Sequence, residues 1–237
     1  MRGLSIDIGN TRIKAALFEG ARLIEKATFE ETHEVEAWWR QKDISCAIVA
    51  TVGREWELTT PFPLFFFGDE TLKIPVLNSY ESPKTLGKDR LAAAIGAYSL
   101  FPATPCLVID AGTCITYDFV TEKAEYLGGA ISPGIRMRFQ AMHQFTARLP
   151  LIEEIKSKPN LIGKNTEDCM RSGVLNGVLF EMEKAIETYA SEHPNLKVLL
   201  CGGDVQFFES IIKGHIFAFP DLVLQGLNHT LLYNAHL

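Results

Sequence analysis

The chain has 237 residues, with 23 Lys+Arg against 29 Asp+Glu for a formal net charge of −6, and 47% of its residues are hydrophobic. That balance excludes a disordered chain, and an acidic surface is a poor match for a polymer of phosphates, so no nucleic-acid partner is expected. The purest apolar runs, Leu64 to Phe67 and Val198 to Cys201, fall far short of the roughly 20 residues that span a bilayer. Asp7 interrupts any leader-like N-terminus, so a cytoplasmic protein with no membrane partner is expected.

Leu4 to Ile8, Ile13 to Phe18 and Leu23 to Phe29 read as three strands of a meander, punctuated at Gly9-Asn10 and Gly20. Residues 32–42 suit a helix and Ile44 to Val52 a buried strand. A Pro-rich aromatic run follows from Pro61 to Phe67, then Ile74 to Leu77. Residues 88–100 have strong helix propensity, and Pro102 and Pro105 end the first half. This predicts an N-terminal domain over 1–102 and a C-terminal domain over 103–237, with the last helix able to pack back on the first.

The second half repeats the first. Leu107 to Thr113 mirrors Leu4 to Thr11, and Asp110 lies 103 residues after Asp7. Ile115 to Val120 and Ala124 to Ile131 then read as the second and third strands. One Asp-x-Gly marks countless turns, whereas two at half-chain spacing between paired strands point to tandem α/β domains facing one another. Gly128-Gly129 reads as the loop before a helix opened by Pro133 and running to about Ala147. The longest helical pattern covers 164–192, where Leu175, Leu179, Met182, Ile186 and Tyr189 form a stripe that serves either as core or as a subunit seam. Lys197 to Cys201 reads as a strand, Val205 to Lys213 as a helix, and Asp221 to Tyr233 as a terminal helix.

An aspartate ending a strand before glycine has a chemical use. The glycine leaves backbone amides open to a ligand, while Asn10, Thr11 and Lys14 add donors and charge suited to phosphate oxygens. The carboxylate of Asp7 suits a Mg²⁺ travelling with those phosphates. Gly202-Gly203 after a strand either receives the base or ribose of a nucleotide or simply caps the strand. Lys88, Asp89 and Arg90, at the start of an alanine-rich helix, offer a base and an anion clamp. On residue chemistry alone, Asp7, Asp89 and Asp110 stay unranked as general base. No P-loop and no dinucleotide fingerprint occurs, and the five scattered cysteines read as reduced thiols in apolar surroundings rather than as disulfides or a zinc site.

Five motifs in order, Asp7-Ile8-Gly9-Asn10-Thr11, Gly87-Lys88-Asp89-Arg90, Asp110-Ala111-Gly112-Thr113, Gly128 to Gly134, and Asn165-Thr166 through Gly173, resemble those of type III pantothenate kinases. These belong to the acetate and sugar kinase/Hsc70/actin superfamily. The resemblance implies two tandem ribonuclease H-like domains with a nucleotide cleft between them, and ATP-dependent phosphorylation of pantothenate. By position, Asp7, Ile8, Gly9, Asn10, Thr11, Arg12, Ile13 and Lys14 would form the ATP phosphate loop, with Asp7 near Mg²⁺. Asp89 would be the catalytic base, and Tyr80, Gly87, Lys88, Asp89, Arg90 and Thr166 would contact pantothenate. Asp110 would hold a monovalent cation, K⁺ or NH₄⁺, and Thr113 would touch ATP. The family is dimeric, so a homodimer is implied.

Thr166, followed by Glu167 and Asp168, also reads as a helix N-cap. Ser82-Pro83, Lys88, Cys114-Ile115 and Cys201 depart from the family's usual residues without removing a reacting group. Two other functions compete: a different small-molecule kinase or phosphatase on the same fold, and a non-catalytic nucleotide-binding regulator of transcription. Retention of Asp7, Asp89, Arg90 and Asp110 favours catalysis, because a binding module needs no base.

Overall fold

The computed structural model describes residues 1–9, 12–51, 60–154, 157–212, 214 and 216–235. In chain order these form β1 (Arg2–Ile8), β2 (Ile13–Glu19), β3 (Arg22–Phe29), α1 (Thr32–Trp39), β4 (Cys46–Thr51), β5 (Leu64–Phe66) and β6 (Leu77–Asn78). Next come a 3₁₀ turn (Pro83–Thr85), α2 (Lys88–Leu100), β7 (Cys106–Ala111), β8 (Cys114–Val120), β9 (Glu125–Pro133) and α3 (Ile135–Gln144). The remainder is α4 (Thr166–Arg171), a π turn (Ser172–Asn176), α5 (Gly177–Glu192), β10 (Lys197–Cys201), α6 (Val205–Glu209), β11 (Ile216–Ala218) and α7 (Leu222–Ala235).

The chain divides into two compact units. The first comprises Met1–Ala103, Val120–Leu127 and Asp221–Leu237; the second comprises Thr104–Phe119 and Gly128–Pro220. In the first unit the sheet order is β3-β2-β1-β4-β5, with β1 antiparallel to β2 and parallel to β4. The second unit uses the order β9-β8-β7-β10-β11, with β10 parallel to both β7 and β11. Counted within each half, both orders are 3-2-1-4-5, so the repeat seen in sequence is a repeat of topology. Both units follow the ribonuclease H-like plan expected.

Alternation explains the strands. Leu4, Ile6, Ile8, Ile13 and Ala15 from β1 and β2 are buried in one cluster with Val35 and Trp39 of α1 and Ala47 and Val49 of β4. Ser5 and Asp7 occupy the intervening positions of β1 and are buried as well. The opposite sheet face is therefore also covered, and α7 supplies Leu224 beside Ala16 and Phe18. Small residues let α2 and α7 touch backbone to backbone. A Cβ on Gly226 would stand 1.8 Å from Ala92 O, and one on Gly96 would stand 2.5 Å from Leu222 O. The alanine run Ala92-Ala93-Ala94 is thus a packing surface as well as a helix former, all three being buried.

Several expectations are corrected. Gly128-Gly129 is no loop but lies within β9, because a Cβ on Gly129 would stand 1.6 Å from Tyr117 O; glycine here marks close backbone approach inside a sheet. The stripe of the long helix belongs to the core of the second unit. Leu175, Leu179 and Met182 are buried in that core, while Ile186 and Tyr189 are partly buried and pack against the same cluster. Burial of each aliphatic side chain of this kind contributes about 1.5–3 kcal/mol. The helix at Val205 stops at Glu209, short of the expected Lys213, which lies outside the described residues, as does Val52. Of the five cysteines, Cys46, Cys106 and Cys201 are buried, but Cys169 is exposed. Among the described residues, no helix is long and apolar enough to cross a membrane.

Candidate active site

In the first unit, Asp7 sits one residue before the end of β1, opposite Lys14 on β2 and Ala50 on β4. Directly opposed residues project to the same face, so the carboxylate and the half-buried ammonium chain are neighbours. The β1–β2 turn closes through a hydrogen bond from Gly9 N to Arg12 O of 3.1 Å. Ile8 and Ile13 have their side chains in the core, so from this run they offer a ligand only backbone. Asn10 and Thr11 lie outside the described residues.

A second cluster in the same unit surrounds the start of α2. Gly87 is its N-cap residue, and an ideal Cβ there would stand 2.6 Å from Asp89 Oδ1. Asp89 Oδ1 accepts the Arg90 backbone N–H at 2.9 Å, which orients the carboxylate within the first helical turn. Arg90 is 6% exposed, and its guanidinium lies 5.7 Å from the centroid of the Tyr80 ring, within cation–π range. Tyr80 leans in turn on buried Tyr126, ring centroids 6.3 Å apart. Ser82, the departure before Pro83, accepts hydrogen bonds from Thr85 Oγ1 at both its carbonyl and its hydroxyl, at 3.0 and 2.8 Å, and so stabilises the approach to α2. Lys88 lays its aliphatic chain over Gly68, where a Cβ would stand 3.1 Å from Cε. The structure therefore brings Tyr80, Gly87, Asp89 and Arg90 together.

In the second unit, Asp110 occupies the place on β7 that Asp7 has on β1, paired in register with Cys201 of β10. Gly202 follows with φ +98°, and a Cβ on it would stand 2.5 Å from Asp110 Oδ1 and 2.3 Å from Ala111 O. Only glycine leaves this oxygen-lined space open. The closeness of Gly202 to Asp110 depends on the register of β7 against β10, which no motif spacing carries. Asp204, outside every motif, joins them: its N–H donates to Ala111 O at 2.9 Å. Burial pushes the Asp204 carboxyl above its ordinary range, and Arg136 partly offsets this. Thr113 is exposed, and its carbonyl accepts the Gly134 N–H at 3.0 Å.

Thr166 is not the helix cap. That role belongs to Asn165, whose side-chain oxygen accepts the Asp168 N–H at 2.9 Å, one residue earlier than expected. Thr166 instead lines an open concavity of about 690 Å³ with Arg148, Pro150, Asn165, Glu167 and Asp168, which sets one guanidinium beside two carboxylates.

The sequence pattern of type III pantothenate kinases matches residues 3–188. Curated type III pantothenate kinases of Bacteroides fragilis and Flavobacterium johnsoniae are 44% and 41% identical, the alignments covering 98% and 97% of both chains. The chain belongs to the type III pantothenate kinase family. Solved structures agree on the fold. A protein assigned to a conserved Baf family of transcriptional activators, from Campylobacter jejuni, superposes with TM-score 0.66 at 22% identity, over 99% of this chain and 100% of its own. The activator of 2-hydroxyisocaproyl-CoA dehydratase from Clostridium difficile does so with TM-score 0.57 at 13% identity, over 100% of this chain and 96% of its own. Four of the five motifs that carry the type III pantothenate kinase resemblance begin at strand ends or first helical turns, where backbone groups face outward. The exception is Gly128 to Gly134, which runs through β9 to the N-cap of α3.

Proposed function

We infer that this chain transfers the γ-phosphoryl group of ATP to the terminal hydroxyl of pantothenate, giving 4'-phosphopantothenate, the first step of coenzyme A biosynthesis. Family membership carries the reaction; the cluster of Tyr80, Gly87, Asp89 and Arg90 supports the assignment of roles within it. Phosphoryl transfer asks a protein for positioning and charge neutralisation more than for covalent chemistry. Asp89 is the base that takes the hydroxyl proton as the oxygen attacks phosphorus. A carboxylate oriented by its neighbour's N–H, with no Cβ on residue 87 to crowd it, suits that task. Arg90 offers a planar guanidinium to the pantothenate carboxylate, with the Tyr80 ring 5.7 Å away within cation–π range of it. Gly87, Lys88 and Thr166 complete the acceptor contacts.

Residues 7–14 take the ATP phosphates, with Lys14 countering their charge, and Thr113 contacts the nucleotide. Asp110 Oδ1 and Ala111 O crowd the space beside Gly202 that a Cβ would fill, and such hard oxygen donors fit a monovalent cation. Asp7, a carboxylate at a strand end opposite Lys14, has the donor chemistry for Mg²⁺ held jointly with phosphate oxygens. The metal ion would neutralise charge on the phosphates. A homodimer is carried over from the family, and the exposed side chains of Phe145, Leu161 and Ile162 are the kind a pairing surface covers. The test is ADP release with pantothenate set beside a panel of sugars and other hydroxy acids. Turnover should require pantothenate; equal or faster turnover of a sugar would sink the assignment.

A further inference from the structure

The glycine-rich run from Gly128 to Gly134 has no role in the reaction as derived, yet it is tied to the nucleotide side of the second unit. Gly134 N donates to Thr113 O at 3.0 Å, and a Cβ on Gly134 would stand 2.2 Å from Gly112 O and 2.4 Å from Thr113 O. The turn between β9 and α3 is therefore the floor under the Gly112–Thr113 loop. One side chain holds that floor. Arg138 donates from Nε to Pro133 O at 2.8 Å and from Nη2 to Ser132 Oγ at 2.8 Å, while its backbone N–H bonds Gly134 O at 3.0 Å.

The guanidinium is itself anchored. Nη2 also meets Glu181 Oε2 of α5 at 2.6 Å, with the two side chains only 23% and 32% exposed. Tyr117 Oη donates to the other oxygen, Glu181 Oε1, at 2.8 Å. Tyr117 lies on β8, the strand that leaves the same Gly112–Thr113 loop. The loop is thus gripped from beneath through Gly134 and from its exit through Tyr117, and both grips converge on Glu181. Burial raises the Tyr117 hydroxyl, and Glu181 adds to this, so Tyr117 stays a donor.

We propose that Arg138, anchored by Glu181, is a positioning residue that holds the Gly112–Thr113 loop in its nucleotide-binding geometry. The identity of the loop's ligand rests on the phosphotransferase reading above. Arg138 touches no reacting atom in this account; it acts through Pro133 and Gly134.

The experiment measures ATP affinity by calorimetry without pantothenate, and both KM values with it, for wild type, R138K and E181Q. Lysine keeps the charge toward Glu181 but loses the planar fork to Pro133 and Ser132, so the fold is retained while the floor loosens. Loss of charge-assisted hydrogen bonds of this kind predicts an ATP Kd and KM raised roughly tenfold in R138K, with the pantothenate KM within about twofold. E181Q should fall between the two. An unchanged ATP Kd in R138K would overturn the proposal. So would a joint shift of both KM values with a matching drop in melting temperature, which is the signature of a merely structural residue. Wild-type turnover of pantothenate reports separately on the kinase reading, and the nucleotide Kd decides the role of Arg138 whichever acceptor is used.

Discussion

Gly87→Ala isolates the orientation of Asp89, the proposed base, from the stability of the fold. Gly87 has φ −58° and ψ 127°, a conformation alanine adopts without strain, so the backbone need not move. At an N-cap, alanine is poorer than glycine by roughly 1 kcal/mol. The smaller entropy of the unfolded chain returns about 0.4–1 kcal/mol, so net stability should change by less than about 1 kcal/mol. The new Cβ would stand 2.6 Å from Asp89 Oδ1, against an ordinary contact of 3.4 Å or more, so the carboxylate must shift by about 0.8 Å. It then leaves the Arg90 N–H that now orients it. Displacement of a reacting group by about 1 Å costs roughly 100-fold in rate. Steady-state ADP release at saturating ATP should therefore show kcat reduced about 100-fold with the melting temperature nearly unchanged. A variant with wild-type kcat would refute the reasoning, since the carboxylate pose seen here would not be the working one.

Gly202→Ala fills the space beside Asp110 and forces alanine to φ +98°, so, if the proposed monovalent-cation site lies there, the rate should cease to respond when titrated against K⁺ or NH₄⁺, beyond any general loss of activity. Glu181 gives a pH prediction. Burial raises its carboxyl, but hydrogen bonds from Arg138, Tyr117 and Ser132 outweigh this and hold it below the ordinary value of 4.5. A depressed carboxylate stabilises the fold fully above the unfolded-state value and loses that contribution as pH falls through the folded one. Wild type should therefore melt higher than E181Q at neutral pH, and the gap in melting temperature should close as pH drops below about 4.5. A gap independent of pH would show that the network does not depend on the ionised carboxylate.

The tandem plan was legible because each half opens with an alternating strand, an Asp-x-Gly and a returning strand, and those signals are local. The helix over 88–100 was legible for the same reason, its bounds agreeing with α2. What escaped depended on distant pairing. β6 and β11 are two and three residues long, too short for any period to register, and form only because β9 and β10 offer edges to pair with. Gly129 looked like a loop because two adjacent glycines usually are one; only Tyr117 O lying where a Cβ would go explains it inside a strand. The stripe over Leu175 to Tyr189 carried the right period but could not say what covers it. In the site, the residue types were readable from the motifs. The grip of Arg138 on Pro133 and the closeness of Gly202 to Asp110 were not, since each joins segments tied by no spacing rule.

The most direct measurement is turnover and ATP binding in the same preparation of Asp89→Asn. Asparagine keeps the shape and the acceptor oxygen for the Arg90 N–H but cannot take the hydroxyl proton. The account predicts that pantothenate-dependent ADP formation falls by about 100-fold to 10,000-fold, the range a general base supplies, while ATP binds with wild-type affinity. Substantial residual turnover with intact ATP binding would contradict it and move the base elsewhere, with Asp110 next in line.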